Sequence, residues 1–209
     1  MIEMSNGDEI KKLFNEDTRH KNNCNLCKEA AYEMGQNTGY GIVIYKIGTL
    51  KNGWLAILSP KTGGDPKIDF TVQLIPSFHL THFSQIASHL SLMENYGIAF
   101  SKVCRAVTEI IMEDSILKAV SDEKSASASI AAYGKCATWK EKKEHLHIKV
   151  FPFRGNIGQP YTVDSSFGKK EIFKEKTGEE FVKMKPIKKV MIDAKRFNDL
   201  AKRLIYLLK

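Results

Sequence analysis

The stretch His145-Leu146-His147-Ile148-Lys149-Val150-Phe151-Pro152 decides how the rest of the chain is read. Its polar and apolar residues alternate, which is the pattern of a β-strand with two unlike faces. Such a strand sends His145, His147 and Lys149 to one face and Leu146, Ile148 and Val150 to the other. Two imidazoles and an ammonium on one face suit an anion, and phosphate is the obvious one. The strand is the expected seat of chemistry.

Upstream, residues 40–47, 53–58 and 70–75 are rich in Ile, Val, Leu and aromatic residues and read as three strands, the third stopped at Pro76. The turn residues of 59–66 make a loop between the second and third. From 82 to 113 the apolar spacing changes to three and four (Phe83, Ile86, Leu90, then Ala99, Val103, Ala106, Val107, Ile110, Ile111). That period predicts one or two helices, broken near Tyr96-Gly97. A small-residue strand is expected at 127–133 and a charged loop at 134–144, leading into the histidine strand. Glycines and a proline at 155–160 end it. Short strands or a hairpin follow residue 162. A last amphipathic helix starts at Asp193, an N-cap residue, with Phe197, Leu200, Leu204 and Leu207 on one face. Residues 7–22 read as a short polar helix and linker, and 24–34 as a metal knuckle running into a helix.

Strands in sequence joined by turns, with helices between and after, predict an α+β fold: an antiparallel sheet with packed helices. We divide the chain into a core domain at 1–160, carrying the knuckle, and a basic C-terminal extension at 161–209.

At 209 residues the chain is long enough to bury a real core, and 43% hydrophobic with 27% charged residues is the balance of a globular protein. No apolar run reaches membrane-spanning length. The acidic, polar start (Met1-Ile2-Glu3-Met4-Ser5-Asn6-Gly7-Asp8) shows no signal peptide, so the expected location is cytoplasmic. Four cysteines are few for a disulfide scaffold, and Cys24-Asn25-Leu26-Cys27 has the spacing of a metal or redox pair. Cys104 falls in the helical pattern as a small core residue, and Cys136 is isolated. Residues 169–209 hold 13 Lys and Arg against 6 Asp and Glu, so they supply seven of the net eight positive charges. Two readings stay open there: a polyanionic partner such as nucleic acid, or a solvated lysine-rich surface.

The histidine strand resembles the signature of the histidine triad superfamily, His-x-His-x-His/Gln followed by two apolar residues and often Pro. Supporting elements stand in the family's order. Cys24-x-x-Cys27 comes first, then Trp54-Leu55-Ala56-Ile57-Leu58-Ser59-Pro60 and Val72-Gln73-Leu74-Ile75-Pro76. Pro76-Ser77-Phe78-His79 is similar to the family's Pro-x-x-His, and a long helix separates these strands from the motif. The resemblance covers about residues 24–152.

The resemblance implies a fold of that superfamily, a homodimer, and a nucleotide hydrolase or nucleotidyltransferase. It makes His147 the nucleophile toward the α-phosphate of a nucleoside phosphate ester, anhydride or nucleotide-sugar, through a nucleotidyl-histidine intermediate. A neutral imidazole can do this without a strong base. A frame shifted by two residues would make His145 the middle histidine; the place of Pro152 favours His147. The resemblance also implies a structural Zn²⁺ on Cys24, Cys27, His79 and His145, a thiolate–imidazole set that suits a tetrahedral ion. His82 is a competing ligand; His20 and His89 are expected at the surface.

The chain departs from the pattern at three places. Lys149 stands where members carry His or Gln. It reads as a second catalytic residue that clamps a phosphate oxygen and keeps His147 neutral by like-charge repulsion, or as a snorkelling side chain on an edge strand. The Gly-Gln-Ser/Thr turn before the motif is replaced by Trp139-Lys140-Glu141-Lys142-Lys143-Glu144, which offers Lys140, Lys142 and Lys143 as phosphate contacts. Ser59 takes the place of the acid or amide that holds the ribose. The competing function is a non-catalytic nucleotide- or nucleic-acid-binding protein that uses these lysines and the basic tail. The aromatics of the tail (Phe173, Phe181, Phe197, Tyr206) fit packing as well as base stacking. A redox role for the cysteine pair has little support, because the pair does not open a thioredoxin-like βαβ unit.

Overall fold

Two neighbouring strands, β2 (Trp54–Leu58) and β4 (Val72–Pro76), hold a single polar side chain between them, Gln73. A strand apolar on both faces needs cover on both faces, and the computed structural model of the protein shows how each face is covered. It describes residues 24–62, 65–81, 83–113, 128–133, 145–152, 167–174, 178, 180–186 and 190–209.

With β1 (Ile42–Ile47), β5 (Ala128–Tyr133) and β6 (His147–Pro152), these strands form a five-stranded sheet in the order β1-β2-β4-β6-β5. Every pairing is antiparallel. The mixed architecture of antiparallel sheet and packed helices is the expected α+β class.

Alternation sorts each strand's side chains. Ile42, Ile44, Trp54, Ala56, Leu58, Val72, Leu74, Ile148 and Val150 enter the main core. Helix α2 (Leu90–Glu113) lays Leu92, Ala99, Val103, Ala106, Val107, Ile110 and Ile111 against them, the helical period read from the sequence. The indole N–H of the fully buried Trp54 donates to the Leu92 carbonyl at 3.1 Å. On the other face Val43, Leu55, Ile57 and Ile75 make a smaller core under Ala30, Leu26 and Tyr40. Leu26 belongs to the short helix α1 (Asn25–Glu29), so the knuckle is the second cover of the sheet. Gly41 (φ +148°) leads the chain from that cover into β1; a Cβ there would run into the Leu58 carbonyl.

Several boundaries differ from expectation. The predicted break near Tyr96-Gly97 is absent: α2 is continuous, after a 3₁₀ turn at Phe83–Ser88. Gly97 lies on its exposed side, where the cost of about 1 kcal/mol for a helical glycine is outweighed by the packing of the other face. Strand β6 begins at His147, with His145 and Leu146 just before it, and β4 starts two residues later than predicted. The loop after β2 contains a two-residue strand, β3 (Lys61–Thr62), paired with β9 (Val190–Met191). Beyond residue 162, β7 (Phe167–Lys174) and β8 (Glu180–Pro186) form the expected antiparallel hairpin.

Asp193 caps α3 (Ala194–Leu207), its carboxylate accepting from the N–H groups of Lys195 and Arg196. Leu200, Ala201 and Leu204 of α3, with Leu208, join the main core, and Phe197 and Leu207 pack at its margin. The last part of the basic segment is thus built into the body of the protein. Leu204→Ala should destabilise the chain by about 2–5 kcal/mol, the range for a core leucine, measured by urea unfolding followed through tryptophan fluorescence. A change below about 0.5 kcal/mol, typical of a surface substitution, would show that α3 does not share the core.

Candidate functional site

Cys24 takes the N-cap position of α1 with extended backbone (φ −89°, ψ 116°), yet its side chain makes no capping bond. The sulfur is engaged elsewhere. One turn on, Cys27 falls on the same side of the helix, as residues three apart do. The Lys28 N–H closes this first turn on the Cys24 carbonyl at 3.3 Å. His79 comes from the segment after β4, and His145 from the residues just before β6. A hydrogen bond from Leu146 N–H to the Leu80 carbonyl, 2.6 Å long, ties those two segments side by side.

The four donors meet in one place. His145 Nδ1 lies 3.4 Å from Cys24 Sγ and 3.5 Å from Cys27 Sγ, and His79 Nδ1 lies 3.6 Å from Cys27 Sγ. All four ligand atoms fall within 4.8 Å of one another, and all four residues are buried. The imidazoles stand edge to face at 89°. His145 Nε2 sits 3.3 Å from the Pro76 carbonyl. A carbonyl only accepts, so Nε2 carries the proton and the Nδ1 lone pair faces the sulfurs. An outer hydrogen bond that orients a ligand imidazole in this way is usual at metal centres. The Cys24 thiol is held far below the ordinary thiol range, first by its hydrogen bond with the Cys27 side chain. Burial opposes this, while His79 and the Cys27 backbone N–H favour the thiolate, which is the ligand form. The predicted ligand set is therefore brought together as a closed, buried cluster whose geometry is compatible with a metal ion.

Beyond the cluster, the strand presents its two faces as expected. Leu146, Ile148 and Val150 are buried in the main core. His147 is half-buried, with Nδ1 3.0 Å from the backbone carbonyl of His145. By the same argument Nδ1 carries the proton, and the neutral ring has its lone pair on Nε2. Lys149 is only 6% exposed. The reading of Lys149 as a snorkelling residue on an edge strand is corrected, because β6 lies between β4 and β5 and is an inner strand. Directly across from Lys149 stand Gln73 on β4 and Ala131 on β5.

Ser59 lies one residue beyond the paired row Leu58–Val72–Val150, at the end of β2 away from the Trp54–Pro76 pair next to the cluster. Its hydroxyl donates to the Lys61 carbonyl at 2.9 Å and accepts the Lys61 N–H at 3.2 Å. His89 is exposed, as expected. Lys140, Lys142 and Lys143 lie outside the described residues, as do His20, His82 and Cys136. Among the described residues no helix is long and apolar enough to cross a membrane.

The cations of α3 do not form a bare basic face. Lys195 pairs with Asp199 at 2.9 Å, and Arg203 with Glu113. Arg196 donates to the Ile68 carbonyl at 3.0 Å. The open groove beside α3 is lined by both signs, including Lys67, Glu113, Asp193 and Asp199, and lies across the sheet from His147. Phe197 packs on the core, whereas Tyr206 is exposed beneath the Arg203 guanidinium, 5.1 Å from its ring centroid.

Gln73 was missed in the sequence. Its signal was present: it is the one polar residue in two otherwise apolar strands. Comparison with protein-family models, curated proteins and solved structures finds no match to this chain.

Removing a ligand tests the cluster. Cys24→Ser and Cys27→Ser should each lose the bound metal of the wild type and lower the midpoint of thermal unfolding, read by elemental analysis and calorimetry. Wild-type protein purified without chelator and carrying no metal would mean that the four residues are not a metal site.

Proposed function

We propose that the chain is a histidine-triad-type enzyme, a nucleotide hydrolase or nucleotidyltransferase acting through His147, with zinc as a structural ion. The observation that carries this reading is the hydrogen bond of His147 Nδ1 with the His145 carbonyl. It orients the half-buried ring and puts the nucleophilic lone pair on Nε2.

The zinc assignment rests on donor chemistry and distance. A tetrahedral ion with Zn–S of about 2.3 Å and Zn–N of about 2.0–2.1 Å separates sulfur and nitrogen by about 3.6 Å along each edge. The sulfur–nitrogen distances of 3.4, 3.5 and 3.6 Å match that edge. Two thiolates and two imidazoles are the donors of a closed structural site, which leaves no position for a reacting water. The ion would be held by Cys24, Cys27, His79 and His145; its part is to fix the fold around the strand.

The reaction then falls to His147. Its Nε2 attacks the α-phosphorus of a nucleoside phosphate ester or anhydride. A P–N bond forms and the P–O bond to the leaving group breaks, the leaving group taking the bonding pair. In the second step water, or the hydroxyl or phosphate of an acceptor, breaks the P–N bond; the attacking oxygen's proton is lost and the imidazole is regenerated. Lys149, as an ammonium two residues along the same face, offsets the charge on the transferring group. Low dielectric around a buried cation strengthens that effect.

The test is to incubate the chain with ATP, dinucleoside polyphosphates and UDP-sugars, then measure intact mass. Wild type should gain one nucleoside monophosphate on His147, and His147→Ala should gain none. Lys149→Met should form the adduct about 10²-fold more slowly, the usual cost of removing one charge-stabilising donor. No adduct and no turnover across the panel would sink the proposal.

A further inference from the structure

Gln73 is out of place in its strand. Its neighbours Val72, Leu74, Ile75 and Pro76 are all buried, and so is every residue of the adjoining β2. The cross-strand row that contains it runs Val43, Ile57, Gln73, Lys149, Ala131. Aliphatic residues occupy one side of that row under the knuckle, and the row turns polar at Gln73. Residues directly opposite in an antiparallel pair have Cβ atoms about 4.5–5.5 Å apart on the same face. Gln73 and Lys149 are such a pair, and His147 lies two residues along β6 on that face.

Gln73 is half-buried, and among the described residues its carboxamide has no hydrogen-bond partner. An inner-strand position flanked by Ile57 and Ile75 would pack better with a valine or leucine. A carboxamide there gives two N–H donors and one acceptor to whatever occupies the face. Beside a buried ammonium and a half-buried imidazole, the ligand those groups recognise together is an anion with several oxygens.

We infer that Gln73 is a binding and positioning residue of the site, donating its carboxamide N–H to a non-bridging oxygen of the phosphoryl group that Lys149 holds. The inference rests on the proposed phosphate chemistry at His147, but it concerns binding and not the covalent step. Gln73 orients the group from the β4 side while Lys149 neutralises it from β6. It adds no negative charge beside Lys149.

The experiment is calorimetric titration of the whole chain with AMP, UMP and inorganic phosphate. Gln73→Met keeps side-chain length and removes the amide. It should weaken the best-bound probe at least tenfold, with the thermal midpoint lowered by no more than about 2 °C, because an apolar chain of the same length suits the flanking Ile57 and Ile75. Gln73→Glu should weaken it about a hundredfold, because a carboxylate pairs Lys149 and repels the anion. Wild-type affinity in either variant overturns the inference, and so does a wild type that takes up none of the three probes. If wild type binds and both variants lose affinity, yet no covalent adduct forms, the role of Gln73 stands and the nucleophilic role of His147 falls.

Discussion

Everything distinctive in this structure hangs on the four side chains that converge at Cys24, Cys27, His79 and His145. The contacts span 121 positions of sequence between Cys24 and His145, and 52 between Cys27 and His79. Burying two thiol sulfurs and two imidazoles without compensation is costly. Drawn together into one cluster that could hold an ion, the same groups bring together three segments: the knuckle, the turn after β4 and the entry to β6. The knuckle is then held where Leu26 and Ala30 can cover Leu55, Ile57 and Ile75. Without it, one face of the most apolar strand in the sheet would be exposed to water.

The cluster also reaches His147. His145 is held by its neighbours in the cluster and by the Pro76 carbonyl, and its own carbonyl receives the Nδ1–H of His147. A side chain buried for structural reasons thereby sets the tautomer and orientation of the one two residues away. Alternation along β6 does the rest, sending Ile148 and Val150 into the main core and leaving His147 and Lys149 on the opposite face. Lys149 differs from an ordinary surface lysine because strands lie on both sides of it.

The basic C-terminal segment is less uniform than its charge count suggests. Its last helix is half core element, with Leu200, Ala201 and Leu204 packed on the sheet. Three of the four cations within that helix, Lys195, Arg196 and Arg203, are engaged within the fold, on Asp199, the Ile68 carbonyl and Glu113. Exposed pairs of this kind contribute little stability each, about 0–1 kcal/mol. They do reduce the free positive face that α3 could offer a polyanion.

Local periodicity was enough to read the strands, the long helix, the N-cap at Asp193 and the two faces of the histidine strand, because each depends on neighbours a few residues apart. The cysteine spacing was legible locally as half of a ligand set; its partners His79 and His145, 52 and 121 positions away, came from the family resemblance. Other features depend on groups far off in the chain. Gly97 marked a break that packing on the other side of α2 overrides. Lys149 carried no sign of burial, since burial follows from having β4 and β5 as neighbours. Gln73 acquires its meaning only from the residue opposite it, 76 positions away. Strand order and cross-strand register arise from long-range contacts that bury both faces of the sheet, and no short window of residues encodes them.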